Sequence, residues 1–268
     1  MNEELPLARR DLIASRLAEG QSVIAASLAI EFDVSEDAIR RDLRALAAQG
    51  LCRRVYGGAL PMTAASVPMS VRIDEASERK RALGRAAAPL VQKGELLFLD
   101  SSSTNLALVA YLPEDFGLTV ATNSIDIAAA ALRRTDLRLV MIGGTVDPVV
   151  GGCVDAHALQ AVTRMNIDRS FLGACAISVT GGISVFDMAD AAFKRAVLAA
   201  SEHNAVLSTN EKLATRSPYR VASIKEIDCF VVEHDLPRAQ RSALTKAGAS
   251  VFAAAGPVAD PARNWESV

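Results

Sequence analysis

Long apolar runs, paired cysteines and aromatic side chains are what this sequence has least of. A membrane-spanning helix needs about 20 apolar residues, and no run here is that long. The opening MNEELPLARRDL is polar and charged, unlike a secretory signal, so the chain is expected in the cytoplasm and away from membranes. The four cysteines, Cys52, Cys153, Cys175 and Cys229, include no CxxC pair and stand far in sequence from the three histidines. That pattern argues against a disulfide framework or a zinc site and for reduced, buried thiols. No metal or cofactor is expected.

Aromatics make up 4% of the 268 residues, so the core must come mostly from Val, Leu, Ile and Ala. A net charge of −2 gives the whole molecule no sign that would attract nucleic acid, and any DNA footprint must arise from local clustering. Half the residues are hydrophobic and 22% are charged, an ordinary globular composition. The length suits one large domain or two smaller ones.

The first sixty residues read as helices. Leu12, Ile13 and Leu17 form one apolar stripe, stopped at Gly20. Val23, Ile24, Leu28 and Ala29 form a second, broken by Phe32, Asp33 and Val34. Ser35 is a good helix N-cap, with Glu36 and Asp37 in the first turn where acids favour the dipole. Ile39, Leu43 and Leu46 carry the third stripe to a stop at Gly50. Leu51, Val55 and Tyr56 are strand-like and Gly57-Gly58 is a turn signal, so a short hairpin follows. The order predicts a winged helix-turn-helix over residues 1–60, a linker with two prolines over 61–72, and an α/β domain over 73–268.

In such a unit the third helix packs its apolar face inward and offers its polar face to the major groove. Arg40, Arg41 and Arg44 fall on or beside that face, and Arg53 and Arg54 begin the wing. The five lie within fifteen positions, with Asp42 the one intervening acid. Arginine binds guanine edges in bidentate fashion and grips phosphates. An arginine-rich helix face is often merely solvated, and acids such as Glu3, Asp11 and Glu31 offset the charge of the segment. What favours DNA is the placement of the arginines on the third helix and the wing.

From Glu75 the rhythm changes to a helix over Glu75–Val91 and then to alternating strands and helices. Strands are expected at Leu96–Leu99, Leu118–Ala121, Leu137–Ile142, Ser170–Leu172, Ala205–Leu207, Cys229–Val232 and Val251–Ala253. Helices are expected at Asn105–Tyr111, Ile125–Arg133 and Asp190–His203, and after Asp235 a last helix precedes the last strand. Continuous apolar strands of this kind are buried on both faces of a doubly wound, Rossmann-like parallel sheet. Asp100, Ser101, Ser102, Ser103 and Thr104 lie where a strand hands over to a helix, a place where free N–H groups and hydroxyls can bind phosphate. Asn123 and the Gly143-Gly144 pair follow two further strands, and Lys194 and Lys212 can neutralise phosphate or hold sugar hydroxyls. Strand ends of a parallel sheet share one edge, where ligands collect.

The stretch VSEDAIRRDLRALAAQGLCRRVYGGA resembles the signature of DeoR-type bacterial regulators. Its Val34-Ser35, Ile39 to Leu43, Leu46, Gly50, Arg53 or Arg54, and Gly57 to Ala59 fit that family's pattern, while Ala38 stands where the family has threonine. The resemblance implies a helix-turn-helix over about Ser22 to Arg41, with Ser35, Arg40, Arg41 and Arg44 as DNA contacts. It continues to about Asp235 through Arg72, LDSSSTN, TNS at Thr122, IGG at Ile142, DRSFLGA at Asp168, DAAFKR at Asp190 and Lys212. That part resembles a sugar-phosphate sensor domain whose fold is similar to pentose-phosphate isomerases. Ser102 or Ser103 replaces a glycine of the family pattern, Asn105 a threonine, Thr209 an aspartate and Asp190 a glutamate.

The resemblance implies a repressor of a carbohydrate operon, working as a homodimer or higher oligomer on duplex DNA and relieved or tuned by a phosphorylated sugar. Two alternatives compete. One is an isomerase-like enzyme, disfavoured because Asp168 is the one acid in the matching DRSFLGACAISVTGGIS stretch, and proton transfer needs a carboxylate beside a lysine. The other is an effector-independent DNA-binding protein.

Overall fold

The structure, a computed structural model, describes residues 6–18, 23–49, 51–55, 57–61 and 67–256. Contacts divide the chain into two units, Met1–Val71 and Arg72–Val268. No helix among the described residues is long and apolar enough to cross a membrane.

The first unit runs α1 (Pro6–Ala18), β1 (Val23–Ile24), α2 (Ala25–Glu31), α3 (Glu36–Ala48), β2 (Cys52–Val55) and β3 (Gly58–Pro61). Ile13 and Leu17 of α1, Leu28 of α2, and Ile39, Leu43 and Leu46 of α3 form one buried cluster. The three apolar stripes therefore meet, as their helical spacing predicts. Ser35 caps α3, its Oγ accepting the Ala38 amide at 3.2 Å. Strands β2 and β3 pair antiparallel, with Val55 opposite Gly58, and Gly57 makes their turn at φ +82. Val23 and Ile24, expected in a helix, instead pair with Ala59 and Gly58. β-branched residues suit either state, and the open edge of β3 decides. A side chain at Gly58 would begin 2.0 Å from the Val23 carbonyl oxygen, so this close pairing needs glycine there. The stops at Gly20 and Gly50, the residues Ser22 and Tyr56, and positions 62–66 of the expected linker lie outside the described residues.

The chain continues through α4 (Met69–Asp74), α5 (Ser77–Ala87), β4 (Leu96–Leu99), α6 (Ser103–Val109), β5 (Thr119–Thr122), α7 (Ile125–Leu132), β6 (Arg138–Met141), β7 (Val146–Asp147) and β8 (Gly152–Cys153). Then come α8 (Ala156–Val162), β9 (Ile167–Leu172), β10 (Ala176–Ser178), β11 (Gly182–Val185), α9 (Met188–Ala199), β12 (Ser201–Ser208), β13 (Tyr219–Ala222), β14 (Cys229–Val232), α10 (Arg238–Lys246) and β15 (Ser250–Ala253). The end of the expected linker is thus the helix α4.

Seven strands form one parallel sheet in the order β15-β14-β12-β9-β4-β5-β6. They are the seven that the apolar runs predict. Leu97 and Leu99 point into one buried layer with Leu83 of α5, Leu108 of α6 and Ile127 of α7. Phe98 points into the other with Ala158 of α8, Phe193 of α9 and Leu244 of α10. Burial on both faces explains why the strands lack polar alternation. From β4 the chain winds outward through β5 and β6, then returns to the other side of β4 as β9. The switch point of the sheet therefore lies between β4 and β9, where open α/β sheets bind ligands beyond the strand C-termini.

Three features differ from expectation. The helix expected to run to His203 ends at Ala199, because Ser201 and His203 pair with Ile167 and Arg169 of β9. A small antiparallel sheet, β10-β11-β13, stands apart from the main one. Strands β7 and β8 form a hairpin.

Candidate functional site

Two sets of residues carry the chemistry, one in each unit. In the first unit Arg40, Arg41, Arg44 and Arg54 are exposed. Arg40 pairs with Glu36 at 2.5 Å and Asp37 at 3.2 Å, and the Arg41 Nε donates to the Asp37 carbonyl at 3.3 Å. Glu36, Arg40 and Arg54 line a cleft together with Ala25, Leu43, Gly57 and Gly58. Asp42 is buried and meets the Arg9 guanidinium at 2.6 Å and that of Arg10 at 3.1 Å. The acid among the arginines is thus neutralised from α1 and does not subtract from the charge on the exposed face. The pairing of Arg9 and Arg10 with Asp42 was not legible in the sequence, since it spans over thirty residues. Ser35 is exposed but its hydroxyl is engaged as the cap. Nothing is described of the Arg53 side chain beyond the backbone pairing of β2.

In the second unit the switch point is built around Asp100. Its carboxylate is fully buried and accepts from the Gly173 amide at 2.8 Å and from Asn105 Nδ2 at 2.7 Å. Lys194 of α9 ion-pairs with it and lies 3.3 Å from Asp190. Burial alone would push the Lys194 ammonium down, but the two carboxylates outweigh it and hold the pKa above the ordinary lysine value. Burial also raises the Asp190 pKa, against the pull of Lys194. Lys194, expected to meet a ligand, is 4% exposed and serves as the counterion of Asp100. Asn105, which replaces the family's threonine, stitches β4 to β9 by a second bond to the Phe171 carbonyl at 2.7 Å.

The remaining strand-end residues surround this centre. The Ser102 Oγ accepts the Thr104 amide and caps α6, and Ser103 is buried in the first turn of that helix. Ser101 Oγ, Thr104 Oγ1 and Asn123 Oδ1 are buried with no hydrogen-bond partner. Buried polar groups are rarely left so. The hairpin β7-β8 lies against the same place. A Cβ on Gly152 would come within 2.6 Å of the Asn123 carbonyl oxygen and 3.0 Å of Ser101 Cβ, and Cys153 N donates to that carbonyl. Gly143 and Gly144 are exposed, and Gly144 lies against the Asp155 carboxylate that caps α8, not against Ser101 or Asn123. Lys212 is half-buried after β12, and burial, with the like charge of Arg72, lowers its pKa. No carboxylate among the described residues lies within ion-pair distance of Lys212 or Arg72. No group of three or more His, Cys, Asp or Glu side chains that could hold a metal occurs among the described residues.

The DeoR-like helix-turn-helix domain matches residues 9–64, and the DeoR C-terminal sensor domain matches residues 75–234. The chain belongs to the DeoR family. Members are DNA-binding transcription regulators, and the two matches of this DeoR chain fall on the two units. The uncharacterized HTH-type transcriptional regulator YgbI of Escherichia coli (strain K12) is 32% identical over 93% of the chain and 98% of its own length. The glycerol-3-phosphate regulon repressor of the same strain is 28% identical over 80% of the chain and 85% of its own length. Ribose 5-phosphate isomerase from Plasmodium falciparum superposes on 52% of the DeoR chain, and on 53% of its own, with a TM-score of 0.36 at 16% identity. That value is too low to bear on function.

Proposed function

We propose that this DeoR-family regulator represses a carbohydrate-use operon from the cytoplasm, and that a phosphorylated sugar at the β4–β5 strand ends relieves or tunes the repression. Operator DNA is read by α3, with Arg41 and Arg44 foremost, and by the wing through Arg54. A homodimer presents two such helices to two half-sites. The observation that carries the sensor reading is the set of buried, unpartnered oxygens on Ser101, Thr104 and Asn123. A sugar phosphate supplies the hydroxyl donors and phosphate oxygens that such groups can pair with. The relative named for the glycerol-3-phosphate regulon supports a small phosphorylated effector.

The protein works without catalysis on this reading. Asp168 stands at the start of β9, with its carboxylate on the Leu96 amide, at the opposite end of the sheet from Ser101. Asp100 and Asp190 are committed to Lys194. A carboxylate base free beside a lysine is what isomerase chemistry requires.

Thermal melting of the full chain with pentose and hexose phosphates tests the sensor. Ligand bound to the native state raises the melting temperature. At least one sugar phosphate is expected to do so without turnover. No shift with any of them leaves an effector-independent DNA-binding protein, and isomerase turnover defeats the regulator-only account.

A further inference from the structure

The first turn of α3 carries two acids, Glu36 and Asp37, and both are exposed. Side chains of a helix lean toward its N-terminus, and a recognition helix meets base edges through its N-terminal residues. The two carboxylates therefore stand where bases are read, on a face that must also approach phosphates. Acids in a first turn favour the helix dipole, which accounts for their presence but not for what they do to Arg40. Arg40 Nη2 donates to Glu36 Oε2 at 2.5 Å, and Arg40 Nη1 lies 3.2 Å from Asp37 Oδ1, so the guanidinium is drawn back toward the start of α3. The side chains of Glu36 and Arg40 stay 45% and 50% exposed, so their outer atoms are open to a ligand. Both line the cleft beside the wing, together with Arg54 and the Gly57-Gly58 turn.

We propose that Glu36 and Arg40 act as one specificity-determining unit that reads a single C·G pair in the major groove, Glu36 accepting from the cytosine N4 amine and Arg40 donating to guanine O6 and N7. The inference rests on the operator-reading role of α3 proposed above and adds the base pair and the acid that selects it. A guanidinium has five N–H donors; Glu36 and Asp37 take two and leave three for a ligand. The Glu36 carboxylate likewise has lone pairs to spare. A C·G pair shows the major groove one amine beside two adjacent acceptors. An ion pair with an acceptor at one end and a fork of donors at the other is its complement. An A·T pair places its amine between two acceptors and adds a methyl group, so an arginine fork finds no adjacent pair of acceptors there. Glu36 is repelled by the phosphates of every sequence, and that repulsion is offset only where an amine faces it. It thus discriminates against wrong sites as well as for the right one. Arg40, already held by two carboxylates, has less side-chain freedom to lose on docking.

The test is selection of binding sites by the full chain from a randomised duplex library, followed by anisotropy titrations of the selected duplex, of its single base-pair variants and of an unrelated duplex. The native chain is expected to require C·G at one position of each half-site and to lose about 5- to 150-fold in affinity when that pair becomes T·A. Glu36→Gln should reduce that discrimination to less than about twofold and bind the unrelated duplex at least as tightly as native, since a negative charge has left the face. Arg40→Lys, which keeps the charge but not the fork, should relax the same base pair and leave the salt slope unchanged. A Glu36 that serves only the helix dipole lowers the melting temperature in Glu36→Gln and spares the selected sequence. An unchanged selection in Glu36→Gln therefore overturns the proposal, as does relaxation of different base pairs by the two variants. If a variant melts early, titrations below its own melting point apply the same criterion. The operator reading fails separately, when the native chain enriches no sequence from the library.

Discussion

At the scale of single residues, what matters is which charges are already satisfied. Lys194 and Asp100 form a buried pair, and removing one partner of such a pair strands the other at a cost of about 3–5 kcal/mol. Lys194→Met should lower unfolding stability by that order in a urea titration, as a folding defect and not as a selective loss of effector affinity. Lys80 has the opposite character. Its pKa falls from 10.5 to about 8 on folding, through burial first and then the charges of Lys212 and Arg72. The unfolded chain therefore holds this proton more tightly, the penalty is full below pH 8, and stability rises as pH climbs from about 8 to 10.5. Urea unfolding across that range should show the rise in the native chain and a flatter profile in Lys80→Met. On α3, Arg44 is exposed and pairs with no acid among the described residues, whereas Arg40 is held by Glu36 and Asp37. Arg44→Ala is expected to weaken operator binding by about 1–3 kcal/mol if it meets a base, or to reduce the salt slope by about 1 if it meets a phosphate. An anisotropy titration at several salt concentrations separates the two.

At the scale of elements, capping and strand ends position the site. Ser35 caps α3, and Ser35→Ala should cost about 1 kcal/mol of stability in the DNA-binding unit, read by thermal melting. The hairpin β7-β8 depends on Gly152 lying against Asn123 and Ser101. Gly152→Val should displace it and abolish the sugar-phosphate melting shift, even where the sheet stays folded by circular dichroism. The elements themselves were largely legible. Seven apolar runs predict the seven sheet strands, and three stripes with Ser35 predict the helices of the first unit, because burial on both faces or on one leaves a period in the sequence. The elements that escaped have no such period. Strands β7 and β8 have two residues each, β10 has three, and all owe their state to pairing partners. Strand β12 begins with polar Ser201, Glu202 and His203, which continue a helical pattern until β9 claims them. The strand-edge loops were legible as candidates, but their division of labour was not. Whether Lys194 or Lys212 is neutralised depends on Asp100 and Asp190, and that is a fact of three-dimensional distance.

At the scale of the whole molecule, the proposed regulation is a coupling between two sites. An effector can shift DNA affinity only by its differential affinity for the two states, typically about 5- to 150-fold. A dimer reading two half-sites is expected to protect a pseudo-palindrome whose centres are about 34–36 Å apart, or a multiple of that, which footprinting measures directly. The most direct measurement is the anisotropy of a labelled operator duplex titrated with the full chain, with and without the sugar phosphate that raises its melting temperature. The account predicts an operator Kd at least about fivefold weaker at saturating sugar phosphate. An operator Kd and salt slope unmoved by a sugar phosphate that demonstrably occupies the chain would contradict it.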